Sequence, residues 1–248
     1  AEGQLVDIHR TNACETFVQN AVVLIQHGYY RHALHLLRSA LTIDSRHSHA
    51  MRWTGYCYEM SGQLDLAIRI YAQAVRVDKS VFSLRAMAHA LYLDRRDQES
   101  LPLYFELLAF EPTDTAMLFE VYKNLGNIFV RTADFEQAEE YYNRAFRLNP
   151  LSDALAVNYG TLAMQKSLHD EALRHFRQAL ALNTNNDKAW VGVALVHRLL
   201  GDFPMAWANL QQALDVNPNN DTAIKLGLQW GQSNSDYRAM SKAVHDYL

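Results

Sequence analysis

The chain has 248 residues, 49% hydrophobic and 20% charged, with a formal charge of −4 and a pI near 6.3. That mild acidic balance argues against general binding to nucleic acid or anionic membranes, whose phosphates call for basic patches. No apolar run reaches the length of a membrane span, and residues 1–30 lack a basic region followed by an apolar one, so a soluble chain is expected.

Taken in order, the chain shows one pattern again and again. After residues 1–12, read as a short leading helix or a frayed end, a unit at 14–47 carries Phe17, Ala21, Leu24, Ala33, Leu37 and Ala40. A unit at 48–80 carries Gly55, Tyr58, Ala67, Tyr71 and Ala74, and one at 81–114 carries Ala88, Leu91, Ser100, Tyr104, Leu107 and Pro112. Residues 115–118 then supply one added turn before a unit at 119–152 with Tyr122, Leu125, Gly126, Phe129, Ala138, Tyr142, Ala145 and Pro150. Units follow without a gap at 153–186, with Tyr159, Gly160, Ala172, Phe176 and Ala179, and at 187–220, with Trp190, Ala194, Ala206, Leu210, Ala213 and Pro218. A partial unit at 221–248 ends in a degenerate second helix over about 236–248, expected to cap the array.

In the central unit Tyr122, Leu125, Gly126 and Phe129 fall at i, i+3, i+4 and i+7 on one helix face, and Ala138, Tyr142 and Ala145 share a face of the next. Small residues let the two helices approach and aromatic ones fill the space beside them. Asp134 is placed to cap the second helix of the central unit, and Pro150 to stop it. One such hairpin cannot bury both its faces, so neighbours must stack on it.

The period and these eight positions resemble the tetratricopeptide repeat, and the match covers about residues 14–248. The resemblance implies an all-α, right-handed superhelical solenoid of antiparallel helix pairs, six repeats plus a partial seventh, with residues 1–248 forming one domain. It also implies a non-catalytic scaffold or adaptor whose concave groove, lined by the first helix of each repeat, grips a partner peptide or helix.

The family exposes the second, fifth, ninth, twelfth and thirteenth repeat positions to that groove. In the second unit these are His49, Arg52, Tyr56, Glu59 and Met60; in the third, Phe82, Arg85, His89, Tyr92 and Leu93; in the fourth, Glu120, Lys123, Asn127, Val130 and Arg131. The fifth position is cationic three times running, at Arg52, Arg85 and Lys123. Cations beside aromatic rings suit a protein segment with carboxylates and apolar anchors. The expected partner is therefore an acidic or acidic-aromatic segment, with Asn127 bonding its backbone.

Two narrower resemblances give alternatives. Lys123, Asn127, Asn158 and Lys188 stand where co-chaperone repeat domains clamp an acidic C-terminus, but Gly192 replaces the fifth residue, an Arg, and with it the guanidinium fork. Gly55-Tyr56-Cys57 and Gly62–Ile68 look similar to a repeat of the type III secretion translocator chaperones. A third alternative is a structural part that self-associates through its terminal helices.

No nucleophile elbow, phosphate-binding loop or zinc-protease motif is present, so neither catalysis nor a cofactor is expected. Five of the eleven histidines, His27, His32, His35, His47 and His49, crowd together, and His32 and His35 share one helix face. No regular carboxylate or thiol completes a metal set, and a pH-responsive edge is the other use of these imidazoles. Cys14 and Cys57 lack C-x-x-C spacing and read as buried thiols, which favours a reducing, cytoplasmic setting.

Overall fold

The computed structural model describes the backbone of residues 2–232 and the side chains of residues 9–231. Among the described residues it contains thirteen α-helices and no strand. They divide into two compact units, Ala1–Asp114 and Thr115–Leu248.

In the first unit α1 (Glu2–Gln26) pairs with α2 (Tyr30–Ile43), α3 (Ser48–Met60) with α4 (Leu64–Val77), and α5 (Val81–Leu93) with α6 (Asp97–Ala109). In the second, α7 (Thr115–Arg131) pairs with α8 (Phe135–Leu148), α9 (Asp153–Gln165) with α10 (His169–Leu182), and α11 (Asp187–Leu199) with α12 (Phe203–Val216), followed by α13 (Asp221–Gln232). The predicted unit starts at Ser48, Val81, Asp153, Asp187 and Asp221 are each the first residue of a helix. The added turn at 115–118 is part of α7. Residues before Cys14 continue α1 toward the N-terminus, which makes it the longest helix among the described residues. The expected capping helix at 236–248 lies outside the described residues.

The small and aromatic positions of the second helices form much of the core, beside first-helix residues such as Leu84, Leu91, Leu125 and Leu155. Ala67, Tyr71 and Ala74 are buried, as are Ala138, Tyr142 and Ala145, and Ala172, Phe176 and Ala179. Ring and glycine fit across three of the six hairpins. Tyr71 packs on Gly55, Tyr142 on Gly126 and Phe176 on Gly160, so closely that a methyl group on any of these glycines would strike the ring. In the irregular third repeat Ser100 replaces the usual alanine; it is fully buried and its hydroxyl donates to the Ala88 carbonyl at 2.8 Å.

The turn inside each hairpin needs one residue in the left-handed region. Gly62 and Gly201 fill it at φ 74° and 81°, but Ala133 and Ser167 hold the same place at 60° each. Just beyond it, Asp134 accepts from the Gln137 N–H and caps α8, as expected, and Asp202 does the same for α12.

Candidate functional site

In the first unit the first helices α3 and α5 bring most of the predicted groove residues onto one face. Trp53 donates to His49 Nε2 at 2.8 Å, and the rings continue edge-on from Trp53 to Tyr56 (5.7 Å) and from Tyr56 to Tyr30 (6.5 Å). Partial desolvation, and then Arg52, hold the His49 imidazole below its usual pKa, which keeps Nε2 free to accept that bond. On α5, His89 stacks on Tyr92 at 6.2 Å, and Phe82 exposes 56% of its surface.

The cations on this face are not equivalent. Arg52 is committed inside the unit: Nη1 reaches Asp78 Oδ2 at 3.4 Å and donates to Ser83 Oγ at 3.3 Å, while the guanidinium sits over the Phe82 ring at 5.7 Å. Desolvation lowers its pKa against the pull of Asp78, and nearby Arg85 lowers it further. Arg85 itself is exposed and makes no hydrogen bond or ion pair among the described residues. His89 Nδ1 lies 3.4 Å from Glu59 Oε1, whose other oxygen accepts from the Tyr71 hydroxyl at 3.1 Å. Burial first, and then the Glu59 charge, raise the pKa of that tyrosine, so the phenol remains a donor. Of the three cations predicted for the groove at the fifth position, Arg85 is thus the one whose guanidinium is still available, close enough to Arg52 and Tyr71 for its charge to act on both.

In the second unit Lys123 is bound to Glu120 at 2.7 Å and lies 5.3 Å from the centre of the Phe119 ring. Asn127 accepts from the Tyr142 hydroxyl at 2.6 Å, and Arg131 is half-buried near the end of α7. Asn158 and Lys188 lie apart from these, in a cleft of about 620 Å³ formed mainly by α9, α11 and the turn between α12 and α13. Its apolar wall includes Val157, Met164, Val191 and Leu195, and Gly192 opens its floor over Phe176. The positions that resemble a carboxylate clamp are therefore split, with Lys123 and Asn127 outside the cleft that holds the other two.

The polar end of that cleft was not foreseen. Asp187 Oδ2 accepts from Asn217 at 2.6 Å and Asn220 at 2.8 Å, repeating the way Asp153 accepts from Asn183 and Asn186 at 2.7 and 2.9 Å. The sequence carried this as Asn-x-x-Asn beginning thirty residues after each Asp. Trp53 was missed for a different reason: it occupies the repeat place held by Asn124, Asn158 and Gly192, and that place was read only for the clamp.

Among the described residues no three metal-ligating side chains are grouped, and His32 meets the Tyr29 ring at 6.0 Å. Cys14 and Cys57 are buried free thiols. No helix among the described residues is long and apolar enough to cross a membrane.

A family model described as tetratricopeptide repeat matches residues 18–80 and 123–187, together just over half of the chain. No curated protein matches the sequence. Similar solved structures include PilF of Pseudomonas aeruginosa, 21% identical over 86% of this chain and 95% of that one, with a TM-score of 0.68. PilW, a widely conserved type IV pilus biogenesis factor, is 18% identical over 86% and 97%, with a TM-score of 0.75. YrrB, a tetratricopeptide protein with an unusual peptide-binding site, is 16% identical over 77% and 96%, with a TM-score of 0.52. At these identities the likeness is one of fold. Repeat packing in both units and a family model matched in both agree, and the chain belongs to the tetratricopeptide repeat family.

Proposed function

We propose that the chain is a non-catalytic adaptor that holds a partner peptide on the inner face of α3 and α5, and that the peptide is acidic and aromatic. The observation that carries this reading is Arg85, an exposed guanidinium without an ion pair among the described residues, on the helix α5 that also carries Phe82 and Tyr92 and next to α3 with Tyr56 and Trp53. A carboxylate there gains a charge-assisted hydrogen bond, and the rings beside it supply apolar and stacking surface. Arg52 keeps a supporting place, holding Phe82 and the Asp78 turn.

Asn158 and Lys188 serve in this reading as a second, weaker contact. Asp187 and Asp221 line the same cleft as Lys188 and leave it without a cationic surplus, so the acidic part of the ligand belongs on the Arg85 face. The reading keeps residues 1–248 as one repeat domain and retains a cytoplasmic setting, supported by the two free thiols.

The test is a titration of the full chain with the labelled peptide acetyl-Asp-Phe-Glu-Tyr-Asp-amide at rising salt, beside acetyl-Asn-Phe-Gln-Tyr-Asn-amide. Tighter binding of the acidic peptide, lost as salt rises, supports the reading. Equal binding that salt leaves unchanged would favour an apolar-segment chaperone instead.

A further inference from the structure

On the outer side of the second unit, between α8 and α10, lies a cavity of about 270 Å³. Leu155, Ala156 and Tyr159 of α9 line it together with Phe146, Pro150 and His175. Repeat arithmetic explains why it is there. Ala156 is the fourth residue of its repeat, and the same place holds Tyr122 one repeat earlier and Trp190 one repeat later. The Trp190 indole reaches the turn before its own helix, where Nε1 donates to the Thr184 carbonyl at 2.8 Å. Thr184 is the counterpart of Pro150, which lines the cavity. A ring that two neighbouring repeats supply from their own sequence is missing from this one.

The rim carries apolar surface that the fold does not require. The N–H groups of Leu151, Asn185 and Asn219 make the same turn, donating to Asn149, Asn183 and Asn217 at 3.2, 3.1 and 3.1 Å. Only the first presents a leucine, 74% exposed, between the lining residues Pro150 and Ser152. Phe146 is 41% exposed, whereas its counterpart Leu214 is buried.

Beyond the rim lies a cluster of glutamates, two of them already paired, Glu140 with Arg144 at 2.9 Å and Glu139 with Lys166 at 3.4 Å. Asn143, whose Oδ1 accepts from the Tyr159 hydroxyl at 2.7 Å, lines both this cavity and an adjoining hollow with Glu136, Glu139 and Glu140. Glu136 makes no ion pair among the described residues, and Glu171 has only the His175 imidazole, 3.7 Å away. We propose that this cavity receives a tryptophan side chain, flanked by basic residues, from a partner protein. The indole completes from outside the packing that Trp190 completes from within, its N–H directed to the Pro150 carbonyl, and the flanking cations meet Glu136 and Glu171. This site is independent of the Arg85 face.

The test is a titration of the full, isotope-labelled chain with acetyl-Arg-Trp-Arg-amide, followed by amide shifts. Shifts centred on Ala156, Tyr159 and Gln178 are expected, with about tenfold weaker binding of acetyl-Arg-Leu-Arg-amide and of acetyl-Glu-Trp-Glu-amide. The variant Ala156→Trp, which writes the next repeat's residue into this one, fills the cavity and abolishes those shifts. If Ala156→Trp fails to fold, Gln178→Trp at the exposed rim serves the same purpose. Absence of shifts in the wild type, or shifts that survive either folded variant, overturns the proposal. So does a sedimenting mass that doubles with concentration and is abolished by the filling variant, which would assign the cavity to a second copy of the chain.

Discussion

The ring of Phe176 lies under Gly192 of the following repeat, where an added Cβ would come within 2.5 Å of it. The same ring is 2.6 Å from a Cβ placed on Gly160 of its own repeat. One side chain therefore sets the spacing of α9 and α11, and both glycines are fixed by contact. Gly192→Ala is expected to destabilise the chain by about 1–3 kcal/mol, as overpacking of a filled core does, measured by urea unfolding. An unchanged midpoint would show that the ring is free to move aside.

The paired asparagines make a charge-dependent clasp between the start and the end of a repeat. Burial alone would raise the Asp187 carboxyl, but the Asn217 and Asn220 amides and the Lys188 N–H outweigh it and hold the pKa below the usual carboxylate range. A depressed folded pKa stabilises the fold above the unfolded value, near pH 4, and that contribution is lost as pH falls through the folded value. Asp187→Asn should cost about 1–3 kcal/mol at pH 7 and much less at pH 3, because an amide facing two amides leaves polar groups unsatisfied. Unfolding at the two pH values checks it.

Left-handed turn residues offer a gain in place of a loss. Ala133 and Ser167 sit at φ 60°, where glycine serves at Gly62 and Gly201. Ala133→Gly and Ser167→Gly are each expected to raise stability by up to about 1 kcal/mol, since relief of the Cβ contact exceeds the entropy glycine adds to the unfolded chain. Thermal melts read this directly, and lower melting temperatures would mean the entropy term wins.

Buried thiols predict chemical silence. Burial pushes the Cys57 thiol up to about 11 and also raises Cys14, whose Sγ donates to the Ala40 carbonyl. Neither thiol should react with a disulfide reagent at pH 8 in the folded chain, and both should react once urea unfolds it. Fast labelling of the native chain would mean the first unit opens locally.

Much of this architecture was legible because the tetratricopeptide signature encodes contacts. Tyr142 over Gly126 is a ring over a missing Cβ, so the spacing of those two residues already implies the pair of helices. The turn at Ala133 was harder to see, because alanine there departs from the glycine at Gly62. The binding face was legible only as a list of positions. Arg52, Arg85 and Lys123 look alike in the sequence, but Asp78 reaches the first across 26 residues and Glu120 takes the third on its own helix. Which cation remains available depends on those neighbours and not on the repeat place. Trp53 was hidden because two later repeats carry asparagine at its place, Asn124 and Asn158, and a single contact such as Trp53 with His49 leaves no trace at the repeat period.

The central claim is that Arg85 and the aromatic residues of α3 and α5 hold an acidic-aromatic peptide, and Trp53, on α3 beside His49 and Tyr56, is the reporter. The most direct measurement follows Trp53 emission, in the background Trp190→Phe, Trp207→Phe and Trp230→Phe, while acetyl-Asp-Phe-Glu-Tyr-Asp-amide is added, with and without Arg85→Glu. The account predicts a saturable change at low salt, with affinity about tenfold or more lower for Arg85→Glu and circular dichroism unaltered. Equal affinity in both proteins, or no change in Trp53 emission, would contradict it.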